Sequence, residues 1–193
     1  MPRSLQDAIR LVAVLNLAYF GVEFGVALAI GSVSLFADSI DFLEDASLNL
    51  LILVALGAKA RNRALVGMTL SGLLLIPSLA TLWTAWDKFV HLVPPAALPL
   101  SLTALGALAV NLACALMLAR YRDHSGSLTK AAFLSARNDV FANIAILGAG
   151  AVTAATLSPW PDLLVGIGIA LMNASAARVV FDAAAREHAE AEP

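Results

Sequence analysis

The stretch SLFADSIDFLEDASLNLLILVAL, residues 34–56, has the apolar density of a membrane wall, yet it carries four carboxylates: Asp38, Asp41, Glu44 and Asp45. An acid at the centre of a membrane helix costs about 2.5–3.5 kcal/mol on insertion scales. Asp41 and Asp45 are four residues apart and share one helix face, roughly 6 Å apart along the axis. Asp38 falls on the same stripe, and Glu44 lies about 100° around the helix. The Asp41–Asp45 pair sits about 13–19 Å into the span, which is mid-membrane. Two like charges there repel unless a cation or protons intervene. Asp38 is only a turn or two from the start of the span and reads equally as a solvated helix-end acid.

The rest of the chain fits that setting. It has 193 residues, 60% hydrophobic and 13% charged, with a mean hydropathy of +0.84; soluble domains have about 45–50% apolar and about 25% charged residues. The composition is that of an all-α integral membrane protein. No basic patch interleaved with aromatics points to nucleic acid. The opening stretch is too long and too polar for a removable signal peptide and reads as the first membrane helix. Cys114 is the single cysteine, so no intrachain disulfide forms; within an apolar helix it reads as a small hydrophobe.

A bilayer core of ~30 Å takes about 20 residues per helix. Six spans follow, at 8–30, 33–57, 64–90, 95–119, 128–154 and 161–182. Gly31-Ser32 makes a tight turn, GAKARNR (57–63) a basic loop, HLVPPAALP (91–99) a proline-broken loop, RYRDHSGS (120–127) a polar loop and LSPWP (157–161) a turn into a helix. Pro77 is expected to kink the third span. Arg3, Arg10, Lys59, Arg61, Arg63, Arg120, Arg122, Lys130, Arg178 and Arg186 thread to one side, and Lys88 alone to the other. Both termini are therefore expected in the cytoplasm. The expected organisation is a six-helix domain over 1–182 and a short polar tail over 183–193, a frayed helical extension.

The fifth span, LTKAAFLSARNDVFANIAILGAG, carries Asp139 with Ser135 and Asn143 four residues to either side on the same face. Asp139 lies about 16 Å from the end of its span, a depth comparable to that of Asp41 and Asp45. Three carboxylates from two antiparallel helices would then meet at one level, as an oxygen-liganded divalent cation requires. In the first span Asn16 and Glu23 share a face, and Glu23 belongs in the bundle interior. Asn16 reads equally as an interhelical hydrogen bond or as part of a transport path; for Asn111 and Asn173 the structural reading is preferred. Arg137 is two residues from Asp139 and too deep to snorkel easily. Its expected partner is Glu23, Glu44 or Asp38.

Taken together, these residues resemble the membrane domain of the cation diffusion facilitator family. NLAYFGVEFGVALAIGSVSLFADSIDFLEDA places Asn16, Glu23, Gly31-Ser32, Leu35 and Asp38 where that family's first-helix and turn pattern has them. Asp41 and Asp45 fill its second-helix (H/D)xxxD pair, Asn111 resembles its fourth-helix asparagine, and SARNDVFAN lies over its fifth-helix HxxxD. Two departures stand out. The fifth-helix histidine is Ser135 here, a poor zinc ligand, so water or an asparagine carbonyl would complete the site. The chain is expected to lack the family's C-terminal cytoplasmic domain, and the family's histidine-rich loop is reduced to His124, which reads as a solvated loop residue.

The resemblance implies a transporter, not an enzyme: an exporter of a divalent cation exchanging with protons in the bacterial inner (plasma) membrane, as a homodimer through its membrane helices. Asp41, Asp45 and Asp139 would be ligands, Ser135 and Asn143 auxiliary, and Asn16, Glu23 and Asp38 would support the site or the proton path. Zinc is the implied cargo, with cadmium as its softer congener; manganese, iron or cobalt is the alternative, because an oxygen-only site favours harder ions. Small residues in span three, and Gly166, Ala170 and Ala174 in span six, offer dimer surfaces; the span-six stripe reads equally as packing within its own bundle. An intramembrane metallohydrolase would want histidine ligands, and His91, His124 and His188 all fall outside the spans.

Overall fold

The computed structural model describes residues 4–55, 79–121 and 126–172, with side chains from residue 132 onward in the last segment. Among these there are six helices and no strand: α1 (Leu5–Ile30), α2 (Val33–Ala55), α3 (79–90), α4 (Ala97–Ala119), α5 (Gly126–Thr156) and α6 (Trp160–Met172). The basic loop 57–63, Pro77, His124, the side chain of Lys130, Asn173, Ala174 and the tail with His188 lie outside the described residues. So do Arg3, Arg122, Arg178 and Arg186. Three helical stretches, Leu5–Ile30, Ala97–Ala119 and Ala132–Thr156, are long and apolar enough to cross a membrane by length and composition. Its four acids separate α2 from that group.

The distribution of side chains is inverted relative to a water-soluble bundle. Asn16, Glu23, Asp38, Asn111 and Asn143 are buried, while Val14, Leu28, Trp83, Leu98, Phe141 and Leu164 face outward. Contiguous apolar surface of that extent is not left in water; it matches lipid tails.

Each helix end has a local cause. Ser4 caps α1 by accepting from the Asp7 N–H at 3.2 Å. Gly31 closes α1 in the left-handed region at φ 63, where a Cβ would be strained. The Ser32 N–H returns to the Ala27 carbonyl at 3.1 Å, and the chain reverses directly into α2. At the other end of α5, Leu157 takes the same left-handed conformation at φ 52, its N–H bonded to the Thr153 carbonyl at 2.8 Å.

The α1–α2 hairpin packs along its length, as does the α4–α5 pair; α1 also packs on α4 and α2 on α5. Glycines set two of these contacts. A Cβ on Gly106 of α4 would run into the Tyr19 hydroxyl, and one on Gly150 of α5 would meet Ser101 Oγ. Two apolar clusters result. One, near the α1–α2 turn, includes Ala27, Phe36, Ile40, Leu100 and Ile146; the other, toward the opposite end, includes Ile9, Val12, Ile52, Leu118 and Ala136. Asn16 and Glu23 on α1, Asp41 and Asp45 on α2, Asn111 on α4 and Asn143 on α5 lie in sequence between the two. The polar layer is thus closed off by hydrocarbon above and below.

The first Gly166-Ala170 step of the small-residue stripe on α6 faces inward. A Cβ on Gly166 would lie 2.7 Å from the Ser34 nitrogen and from the Val33 carbonyl carbon, and Ala170 belongs to the cluster near the turn. Packing within the bundle, rather than a dimer contact, accounts for these small residues.

Candidate functional site

In the polar layer α2 presents Asp38, Asp41 and Asp45, all buried, and α5 presents Ser135, Asp139 and Asn143. Asp41 lies within electrostatic range of Asp139, Asp38, Glu44 and Asp45. Asp45 and Asp139 face each other closely enough to share a hydrogen bond when one carries a proton. Ser135 donates from Oγ to Asp45 Oδ1 at 2.8 Å. Asn143 donates from Nδ2 to both oxygens of Asp38, at 3.2 and 3.1 Å, and to the Asp139 carbonyl at 2.8 Å. The helical offset of four residues on each antiparallel helix produces this register: stepping from 41 to 45 along α2 runs beside stepping from 139 to 135 along α5.

Several buried oxygens in the layer have no hydrogen-bond partner: Asp45 Oδ2, Asn143 Oδ1, Glu44 Oε1 and both oxygens of Glu23. An unpartnered buried polar group costs about 1–3 kcal/mol, more when charged. Four of these five are carboxyl oxygens, groups that a proton or a cation can partner. Among the described residues no three His, Cys, Asp or Glu side chains are gathered tightly enough to enclose a metal ion. The acids are neighbours along the seam between α2 and α5 and do not form a closed cage.

The supporting residues are placed as follows. Asp38 is fully buried and not a solvated helix-end acid; it lies too far inside the hairpin for water, and Asn143 solvates it instead. Glu23 is fully buried on α1 beside Asp38, within reach of a carboxyl–carboxylate hydrogen bond. Asn16 makes an interhelical contact, accepting from Cys114 Sγ at 3.7 Å, while its Nδ2 has no partner. Cys114 is therefore a weak donor to Asn16, besides being a buried apolar filler. Asn111 is buried on α4.

The expected ion pair of Arg137 is not formed. Its side chain is exposed and donates from Nη2 to the adjacent Asn138 Oδ1 at 3.4 Å. Two residues from Asp139 is about 200° around a helix, so the geometry that brings Asp139 inward turns Arg137 outward. Lys88 departs in the other direction. It is 7% exposed and donates from Nζ to the Gly31 carbonyl at 2.6 Å, so it ties two helices together.

Two buried residues carry roles that the motif spacing left unassigned. Asn49, one turn beyond Asp45, bonds back to the Asp45 carbonyl at 2.7 Å; it continues the 41–45 stripe by four more residues. Asp162 stands in the first turn of α6, where an acid directly after Trp160-Pro161 reads as ordinary helix-start composition.

The model of the cation efflux transmembrane domain matches residues 9–187. The chain belongs to the cation efflux family. No curated protein matches the chain. The match to the cation efflux domain takes in all six helices, and with them every carboxylate of the polar layer. A cation efflux domain moves metal ions as cargo, and the acids of α2 and α5 are held here as neighbours at mid-depth.

Proposed function

We propose that the protein exports a divalent metal ion in exchange for protons, with Asp41, Asp45 and Asp139 as ligands. The observation that carries this reading is the approach of Asp45 to Asp139 across two antiparallel helices, with Asp45 Oδ2 left unpartnered. The same oxygens serve both ions: cation binding expels protons, and protonation expels the cation. Small rotations of side chains already in electrostatic contact would gather the ligands. Asn143 Oδ1 is a further donor of the same kind, while Ser135 orients Asp45. Glu23 and Asp38, side by side, suit the proton path. Apolar clusters above and below the layer are suited to opening one at a time, which is alternating access about a midplane site.

Zinc, with cadmium, is the proposed cargo by family resemblance. The donors offered by α2 and α5 are oxygens, which favours manganese, iron or cobalt as the second reading. The proposed location is the bacterial inner membrane, and the arginine and lysine distribution puts both termini in the cytoplasm. A homodimer would form through the outward face of α3, where Leu79, Leu82, Trp83 and Trp86 are exposed. Metal-dependent proton flux in proteoliposomes, measured over zinc, cadmium, manganese, iron and cobalt, tests the proposal. Proton movement that no divalent ion stimulates would refute it.

A further inference from the structure

Asp162 is fully buried and belongs to no part of the carboxylate layer. What it does lies at the start of α2. The first N–H groups of a helix have no intrahelical acceptor, and lipid supplies none. Asp162 Oδ2 accepts from the Val33 N–H at 2.9 Å, and Oδ1 from the Ser34 N–H at 3.2 Å. Oδ1 also accepts from the hydroxyls of Ser32 and Ser34, each at 2.6 Å. A carboxylate from α6 thus caps α2 from 128 residues away in sequence, and its charge complements the positive end of the helix dipole.

Two further contacts converge there. One turn along α6, Gly166 lets the α6 backbone lie directly against Val33 and Ser34, with no room for a Cβ. From α3, Lys88 donates to the Gly31 carbonyl that ends α1 and lies in the field of Asp162. The ends of α1 and α3 and the starts of α2 and α6 are joined by charge-assisted hydrogen bonds, roughly twice as strong as neutral ones. The ties across the α2–α5 seam differ in kind: Ser135 to Asp45 and Asn143 to Asp38 are bonds to the acids that cargo and protons would occupy.

We infer that Asp162 is a positioning residue that makes the α1–α2 turn a fixed joint. These four helix ends move as one body, and access changes by motion of α2 against α5 while the joint stays closed. The inference rests on the transport reading above but is measured apart from it. Hydrogen exchange of the peptide covering residues 31–36, in lipid nanodiscs, reads the Val33 and Ser34 amides. Asp162→Asn replaces one carboxylate oxygen with an NH2 group that donates and cannot accept, and is expected to speed exchange there by about tenfold or more. In the wild type, excess Zn2+ or Mn2+ should change it by less than about twofold. Unchanged exchange in the variant, or about tenfold faster exchange on adding either ion, overturns the inference. A covalent version adds function. With Ser32→Cys and Asp162→Cys in a Cys114→Ser background, flux that survives oxidation supports a closed joint. Flux blocked by oxidation and restored by reductant overturns it, and if both thiol states lack flux the exchange result decides. Failure of the transport reading is seen separately, as wild-type vesicles that carry no divalent ion.

Discussion

Ser135 and Asp45 are joined across the α2–α5 seam by a 2.8 Å hydrogen bond from hydroxyl to carboxylate, in the place where the family pattern has a histidine. The serine spends its proton on a neighbouring acid and leaves that acid's other oxygen, Oδ2, open. Ser135→His would put an imidazole nitrogen against the same acid and is expected to shift preference from manganese toward zinc. A competition assay across divalent ions checks this; an unchanged profile would mean that residue 135 does not reach the cargo.

Asp45→Ala and Asp139→Ala should each reduce metal transport to background while the protein still inserts and folds. Both remove one member of a facing pair whose burial is unfavourable without a counter-charge. Vesicle uptake with a parallel measurement of membrane-inserted protein separates the two effects, and wild-type rates in either variant would place the site elsewhere.

Metal binding should weaken on acidification. Each proton displaced by the cation raises the apparent dissociation constant about tenfold per pH unit once the carboxyls are protonated. Stability without metal should move the opposite way, because the packed acids repel less when neutral. Binding titrations and thermal unfolding in detergent, each over a pH series, report the two signs; affinity that rises on acidification would contradict a shared oxygen site.

Gly166→Ala is expected to destabilise by about 1–3 kcal/mol, since backbone atoms of Val33 and Ser34, not flexible side chains, oppose the new Cβ. Gly168, two residues away on the same helix, has nothing within 4 Å, and Gly168→Ala should be neutral or slightly stabilising. The thermal midpoints of the pair give the comparison directly; equal midpoints would mean α6 does not press on α2.

Single cysteines on the outward face of α3, at positions such as Leu82 or Trp86, should crosslink two protomers in native membranes when placed in a Cys114→Ser background. A protein that stays monomeric at all expression levels would show that one bundle suffices.

The courses of α1, α2, α4 and α5 and the comparable depth of Asp139, Asp41 and Asp45 are legible in the sequence, because both depend on repeats of 3.6 residues and on helix length. Charge type alone did not disclose direction. Arg137 was expected inward for want of a place to put its charge, yet its 200° offset from Asp139 sends it out. Lys88 marks the opposite side of the membrane by its place near the end of the third span, and the carbonyl at the Gly31 cap draws its side chain inward. Asp162 gives no signal in the sequence, because a carboxylate in a first helical turn is ordinary composition and the helix start it caps belongs to α2. Contacts between residues more than a hundred positions apart leave no periodic trace in one chain.

The aromatic residues near the α1–α2 turn give the molecule a built-in gauge of depth. Trp83, Trp86 and Trp160 are the three tryptophans of the chain, all outward-facing; Phe89 bridges Trp86 and Trp160, with ring centroids 6.1 Å from each. Indoles partition to the headgroup region, so this cluster marks where that end of the protein meets the bilayer surface. Its emission colour, and its quenching by brominated lipids of graded position, would report how deeply the protein sits. The α2 acids start about one and a half turns below that surface, so the emission should stay blind to cargo and respond to bilayer thickness and, through Trp83 and Trp86, to contact between protomers.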